Sequence, residues 1–206
     1  GVGGGVERAR VVPVAGGGLG AAPVGQQALG PGAQEGSGQK WRRQQERPFR
    51  KPLIVMAPKS LLRHPRCMSP ITDLTKGGFQ ELIDDASIKK ADKVKKVVFC
   101  SGKIYYDLLE KQEADKRDDV ALVRLEQLYP LPYKQIDAVV AKYKNAKFAW
   151  VQEEPSNMGA WVYILSCYRE VNWELVSRKA SASPATGYNK VHVKEQQDII
   201  EQAFLI

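Results

Sequence analysis

The sequence predicts an α/β domain, and three observations carry that prediction. Short apolar runs recur from Trp41 to the C-terminus, stretches with helical periodicity separate them, and the runs close on glycine, proline or polar residues. Strands alternating with helices in this way form βαβ units and a mostly parallel sheet. The runs are near-continuous rather than alternating, as in strands covered by helices on both faces.

Each element follows in chain order. LIVMA (53–57) opens after Pro52 and stops at Pro58, which brackets a short strand. VVFCSG (97–102) is a second strand, closed by Ser101-Gly102. IYYDLLEKQEA (104–114) sets Ile104, Leu108 and Leu109 on one side of a helix. VALVRLEQL (120–128) is the next strand, and YKQIDAVVAKYK (133–144) repeats the helical spacing with Ile136, Val139, Val140 and Tyr143. FAWVQEE (148–154) is a strand ending in two carboxylates; MGAWVYILSCYREV (158–171) reads as a helix after the Pro–Ser–Asn turn. WELVSRK (173–179) is an edge strand, and VKEQQDIIEQAF (193–204) a closing helix.

Residues 1–40 differ from all of this. They are rich in Gly, Ala and Pro, hold no aromatic residue and show no periodic apolar face. Such a stretch buries too little apolar surface to offset the entropy of ordering it, so it is expected to be disordered or non-native. GGGLG within it is no phosphate loop, for it lacks the Lys–Ser/Thr ending and the strand before it. The domain is therefore expected to run from 41 to 206.

Composition narrows the function classes. Hydrophobic residues make up 43% and charged ones 26% of the 206, the ordinary balance of a globular chain. No apolar run approaches the roughly 20 residues of a membrane helix, so no membrane partner is expected. The net charge of +8 is spread among acids, as in KQEADKRDD (111–119), and no basic stripe is interleaved with aromatics; nucleic acid is not the expected partner. The basic surplus suits a phosphate-bearing ligand or an acidic protein surface. Three scattered cysteines, Cys67, Cys100 and Cys167, and two histidines, His64 and His192, have neither the number nor the spacing of a zinc site. Cys100 in VVFCSG reads as a buried thiol; a nucleophile there would need a base beside it in space.

Open parallel sheets bind ligands beyond the carboxyl ends of their strands. Three such ends carry polar groups: Ser101-Gly102-Lys103, Glu126-Gln127 and Gln152-Glu153-Glu154. Ser101-Gly102 before a helix offers N–H groups to an anion, or merely closes a tight turn. Glu126 and Glu153 could serve as acid and base if their surroundings drove their pKa values apart. Glu153 and Glu154 are neighbours on one strand and point to opposite faces, so they are poorly placed as a pair. The alternative is that they end a buried strand near an interface.

The motifs together carry a resemblance. PFRKPLIVMAPKSLLRHP (48–65), CSGKIYYDLLE (100–110), VALVRLEQLYPLP (120–132), WVQEEPSNMGAW (150–161) and ASASPATGYNKVHVKEQQDII (180–200) stand in this order. Residues 42–206 thereby closely resemble the C-terminal end of the thiamine-dependent, decarboxylating first component of the 2-oxoglutarate dehydrogenase complex. The resemblance implies a transketolase-type C-terminal domain at a dimer interface. It implies thiamine diphosphate and Mg²⁺ in the full-length enzyme, bound by two preceding domains that also supply its catalytic histidines. The GDG…NN thiamine signature does not occur in the 206 residues, and His64 and His192 do not match the family's catalytic positions. No catalytic and no metal-binding residue is carried over, and the chain alone is expected to be inactive.

What is carried over concerns association and regulation. Glu153, Glu154 and Trp161 are the interface candidates, Trp161 as the aromatic anchor of an apolar helix that includes Val162, Ile164 and Leu165. The implied partners are a dimer mate and the dihydrolipoyl succinyltransferase component. Some relatives bind acetyl-CoA on this domain; the matching positions here are Arg43, Gln127 and Lys134, with Gln135, Gly78 and Glu81 where that pattern has other residues. A stand-alone CoA- or nucleotide-binding module is the alternative function. The implied compartment is the bacterial cytoplasm or the mitochondrial matrix.

Overall fold

The computed structural model of the chain describes residues 8–10, 60–61, 64–70 and 80–206. They divide into two compact units, 1–81 with 126–129, and 82–125 with 130–206. In the first, β1 (Arg8–Arg10) pairs antiparallel with β2 (Met68–Pro70). The expectation for 1–40 falls largely outside the described residues; the three that are described are extended and paired. The LIVMA strand also lies outside them.

The second unit holds the α/β sheet, with strand order β3-β5-β4-β6-β7. These are β3 (Leu82–Ile83), β4 (Lys96–Cys100), β5 (Val120–Leu125), β6 (Lys147–Pro155) and β7 (Trp173–Arg178). All neighbours are parallel except β3, which runs antiparallel to β5. Four helices connect and close the sheet among the described residues: α1 (Ile104–Ala114), α2 (Tyr133–Lys142), α3 (Trp161–Cys167) and α4 (Asn189–Ala203).

β4 and β5 are buried along their whole length, which is why both read as near-continuous apolar runs, with Lys96 and Arg124 the charged exceptions. One face packs Val98, Cys100, Val151 and Val176 against Ile104 and Leu108 of α1 and Ile199 and Ala203 of α4. The alternate residues form an aromatic layer on the other face. Trp173 meets Phe99 edge-on at 5.2 Å and Tyr168 at 6.2 Å, and Tyr168 Oη donates to Asp137 on α2 at 2.7 Å. Edge-to-face rings add specific attraction to the area they bury.

The sequence missed some boundaries. The helix expected over 158–171 is only Trp161–Cys167, because a tight turn occupies the residues before it and Tyr168 is extended. The last helix begins at Asn189 rather than 193; its first turn carries the exposed Val191, so no buried stripe announces it. β3 was unforeseen. Two residues are too short for a periodic signal, and the Asp85 carboxylate continues its pairing by accepting from the Leu122 amide (2.9 Å) and Gln112 Nε2 (2.8 Å).

Candidate functional site at the carboxyl ends of the parallel strands

β4 ends at Cys100, and Gly102 turns the chain at φ +79°, a conformation glycine adopts without strain. Lys103 then opens α1. Its ammonium lies 2.7 Å from Glu153 Oε1 at the end of β6 and 3.2 Å from Asp107 Oδ2 one turn along α1. Gln196 of α4 donates to the same Asp107 oxygen at 2.9 Å. Strand ends and both helices of that face are thus joined by one polar chain. Burial works against the Lys103 charge, but attraction and hydrogen bonds from Glu153 and then Asp107 outweigh it, and its pKa is raised.

Glu154 has other neighbours. Burial raises its carboxyl above the ordinary range, Glu153 adds to this, and Arg178 opposes it. Arg178, the last residue of β7, donates to His192 Nδ1 at 2.9 Å and lies 3.5 Å from Glu195. Glu153 is thus paired with Lys103, while the Glu154 carboxyl feels the charge of Arg178. Cys100 is fully buried. Glu126 is buried beyond β5, and its amide donates to Glu81 O at 2.9 Å.

The turn after β6 is organised by Gln152, which the sequence marks only as part of a polar strand end. Gln152 Oε1 accepts from Trp150 Nε1 (2.9 Å) and from the Trp161 amide (3.1 Å), while Nε2 donates to Pro155 O (3.0 Å) and Met158 O (2.8 Å). One buried amide thereby holds the core strand, the EEPSN turn and the first residue of α3. Gly159 (φ +71°) closes over it, and a Cβ there would stand 2.8 Å from Gln152 Oε1. The available signal was an amide inside an otherwise apolar strand, followed seven residues later by a glycine.

Trp161 is half-buried at the start of α3, Ile164 points into the core, and Val162 and Leu165 are 60% and 44% exposed. Lys134 is exposed in the first turn of α2. Gln127 is half-buried, its amide donating to Glu81 O at 3.0 Å, and belongs to the other compact unit. Arg43 lies outside the described residues. No three His, Cys, Asp or Glu side chains gather to hold a metal ion among the described residues.

Residues 68–204 match the family model described as 2-oxoglutarate dehydrogenase C-terminal. The chain belongs to that family. Among curated relatives, it is 46% identical over 169 residues to the 2-oxoglutarate dehydrogenase E1 component of Cupriavidus necator. It is 42% identical over 174 residues to the E1 component of Azotobacter vinelandii. These alignments cover 79% and 80% of this chain and 18% of each relative. A Dictyostelium discoideum protein named "Probable 2-oxoadipate dehydrogenase complex component E1 homolog" is 42% identical over 171 residues, 79% of this chain and 19% of that protein. The chain thus spans just under a fifth of the length of the relatives it matches. A stand-alone nucleotide- or CoA-binding module is not supported, since the family match takes up nearly all of the α/β unit.

Proposed function

We propose that this chain is the C-terminal dimerisation and regulatory domain of the first, decarboxylating component of a 2-oxoglutarate dehydrogenase complex. The observation that carries this reading is the family match over 68–204, joined to relatives of that name. Within the proposal, the whole enzyme decarboxylates 2-oxoglutarate oxidatively and passes a succinyl group to the dihydrolipoyl succinyltransferase component. Thiamine diphosphate and Mg²⁺ supply the carbanion chemistry, held by preceding domains. The part played by these residues is positional: the Gln152 clamp and the Lys103–Glu153 pair set where α3 and the strand ends lie. A CoA-type effector belongs to the same proposal through Arg43, Gln127 and Lys134, and the bacterial cytoplasm or mitochondrial matrix is its compartment.

The test is turnover. The purified chain with thiamine diphosphate and Mg²⁺ is expected to release no CO₂ from 2-oxoglutarate. Joined to the preceding domains of the Cupriavidus necator relative in place of that protein's own C-terminal region, it is expected to support it. Activity of the chain alone, or a dead but folded hybrid, would overturn the reading.

A further inference from the structure

We infer that a cleft at the amino ends of β6 and β7, on the far side of the sheet from the carboxyl-end site, docks an acidic segment of a partner protein through an apolar anchor. The cleft has a volume of about 670 Å³ and lies between the end of α2 and the first residues of β6 and β7. Val140, Ala141 and Val171 wall it, and Phe148 and Trp173 form its aromatic floor. Trp173 is held there by its Nε1, which donates to Tyr168 O at 2.9 Å, and by the rings of Phe99 and Phe148. A half-buried, immobilised tryptophan is the kind of surface on which interface energy concentrates.

The charges around the floor choose the partner. Lys144 and Lys147 stand on one rim, both exposed, and neither has an ion-pair partner among the described residues. Glu170 and Glu174 stand on the other. Glu174 is already neutralised by Lys96, which is fully buried, 3.0 Å away, and also donates to Leu205 O. Two lysines therefore face one uncompensated carboxylate. Opposed charges steer encounter and fix register at such a rim. The apolar floor and Glu170 favour a peptide over a phosphate backbone, which would carry a negative charge past Glu170 and leave the floor without an anchor.

The test is a charge exchange on the full 206-residue chain. The probe is a fluorescein-labelled hexapeptide, Glu-Asp-Glu-Phe-Glu-Asp, followed by anisotropy at low salt. Wild type is expected to bind it. Lys144→Glu with Lys147→Glu is expected to weaken binding by about tenfold or more and to bind a Lys-Arg-Lys-Phe-Lys-Arg probe instead. Ala141→Trp, which fills the cleft without altering charge, is expected to lose the acidic probe as well. Failure of wild type to bind, equal binding by the double variant, or equal binding of the Phe→Gly peptide would overturn the proposal. So would a single-stranded RNA that binds as tightly and is lost in the same variants, since the surface would then be a general polyanion site. The activity of any hybrid enzyme plays no part in these outcomes.

Discussion

Gln152 shows how much of the carboxyl-end geometry rests on one side chain. Its amide satisfies an indole N–H, a helix-opening N–H and two turn carbonyls. Gln152→Leu keeps the volume and removes every one of these bonds, leaving buried polar groups unmet. The expected cost is about 2–4 kcal/mol, read as a lower urea midpoint at unchanged slope; a loss under about 0.5 kcal/mol would show the clamp to be redundant. Glu154 carries the residue-scale pH dependence. A carboxyl whose folded pKa lies above its unfolded value favours the fold when protonated, and that stability is lost as pH rises through the folded value. Burial places Glu154 in this class. Glu154→Gln is therefore expected to melt higher than wild type at pH 7, with the gap closing below about pH 4. A gap that stays constant across that range would assign the effect to packing instead.

At the scale of the element, α3 is the one that does not close on itself. It is short, with only Ile164 buried in the core, and it presents Val162 and Leu165 outward beside the half-buried Trp161. Two exposed branched side chains one turn apart on a clamped helix suit a packed neighbour. Wild type is expected to self-associate in sedimentation, and Val162→Asp with Leu165→Asp to give a folded monomer with stability within about 0.5 kcal/mol. Trp161→Ala is expected to weaken association too. A strictly monomeric wild type at high concentration would remove α3 from the interface. The helix was legible in the sequence as more apolar than one stripe requires. Its length was not, because the residues that precede it have helical composition but are held in a turn by Gln152 and Gly159.

For the whole molecule, the legible part and the illegible part divide along sequence distance. VVFCSG, VALVRLEQL and FAWVQEE could be assigned as strands because burial on both faces demands continuous apolar residues, which a short window displays. IYYDLLEKQEA could be assigned as a helix to the residue, since its stripe and its closing charges are local. The parallel sheet follows from that alternation, and so does the edge position of WELVSRK, the last strand. Lys103 and the carboxylates at 153–154 were visible as polar strand ends. Which of them would meet was not, because Lys103 and Glu153 lie fifty residues apart and are joined only when β4 and β6 become neighbours. Lys96 is the plainest case. A lysine opening a strand reads as solvated, yet here it is fully buried between Glu174 and the Leu205 carbonyl, at 3.0 and 2.7 Å. By itself the sequence determined the fold class, the order of most elements and the family, because hydrophobic periodicity and motif order are written along the chain. Only the tertiary structure decided the Gln152 clamp, the Lys103–Glu153 pair, and the lysine-rimmed cleft. The pair and the cleft depend on distances between elements apart in sequence, and the clamp on burial, which sets whether an amide must find a partner.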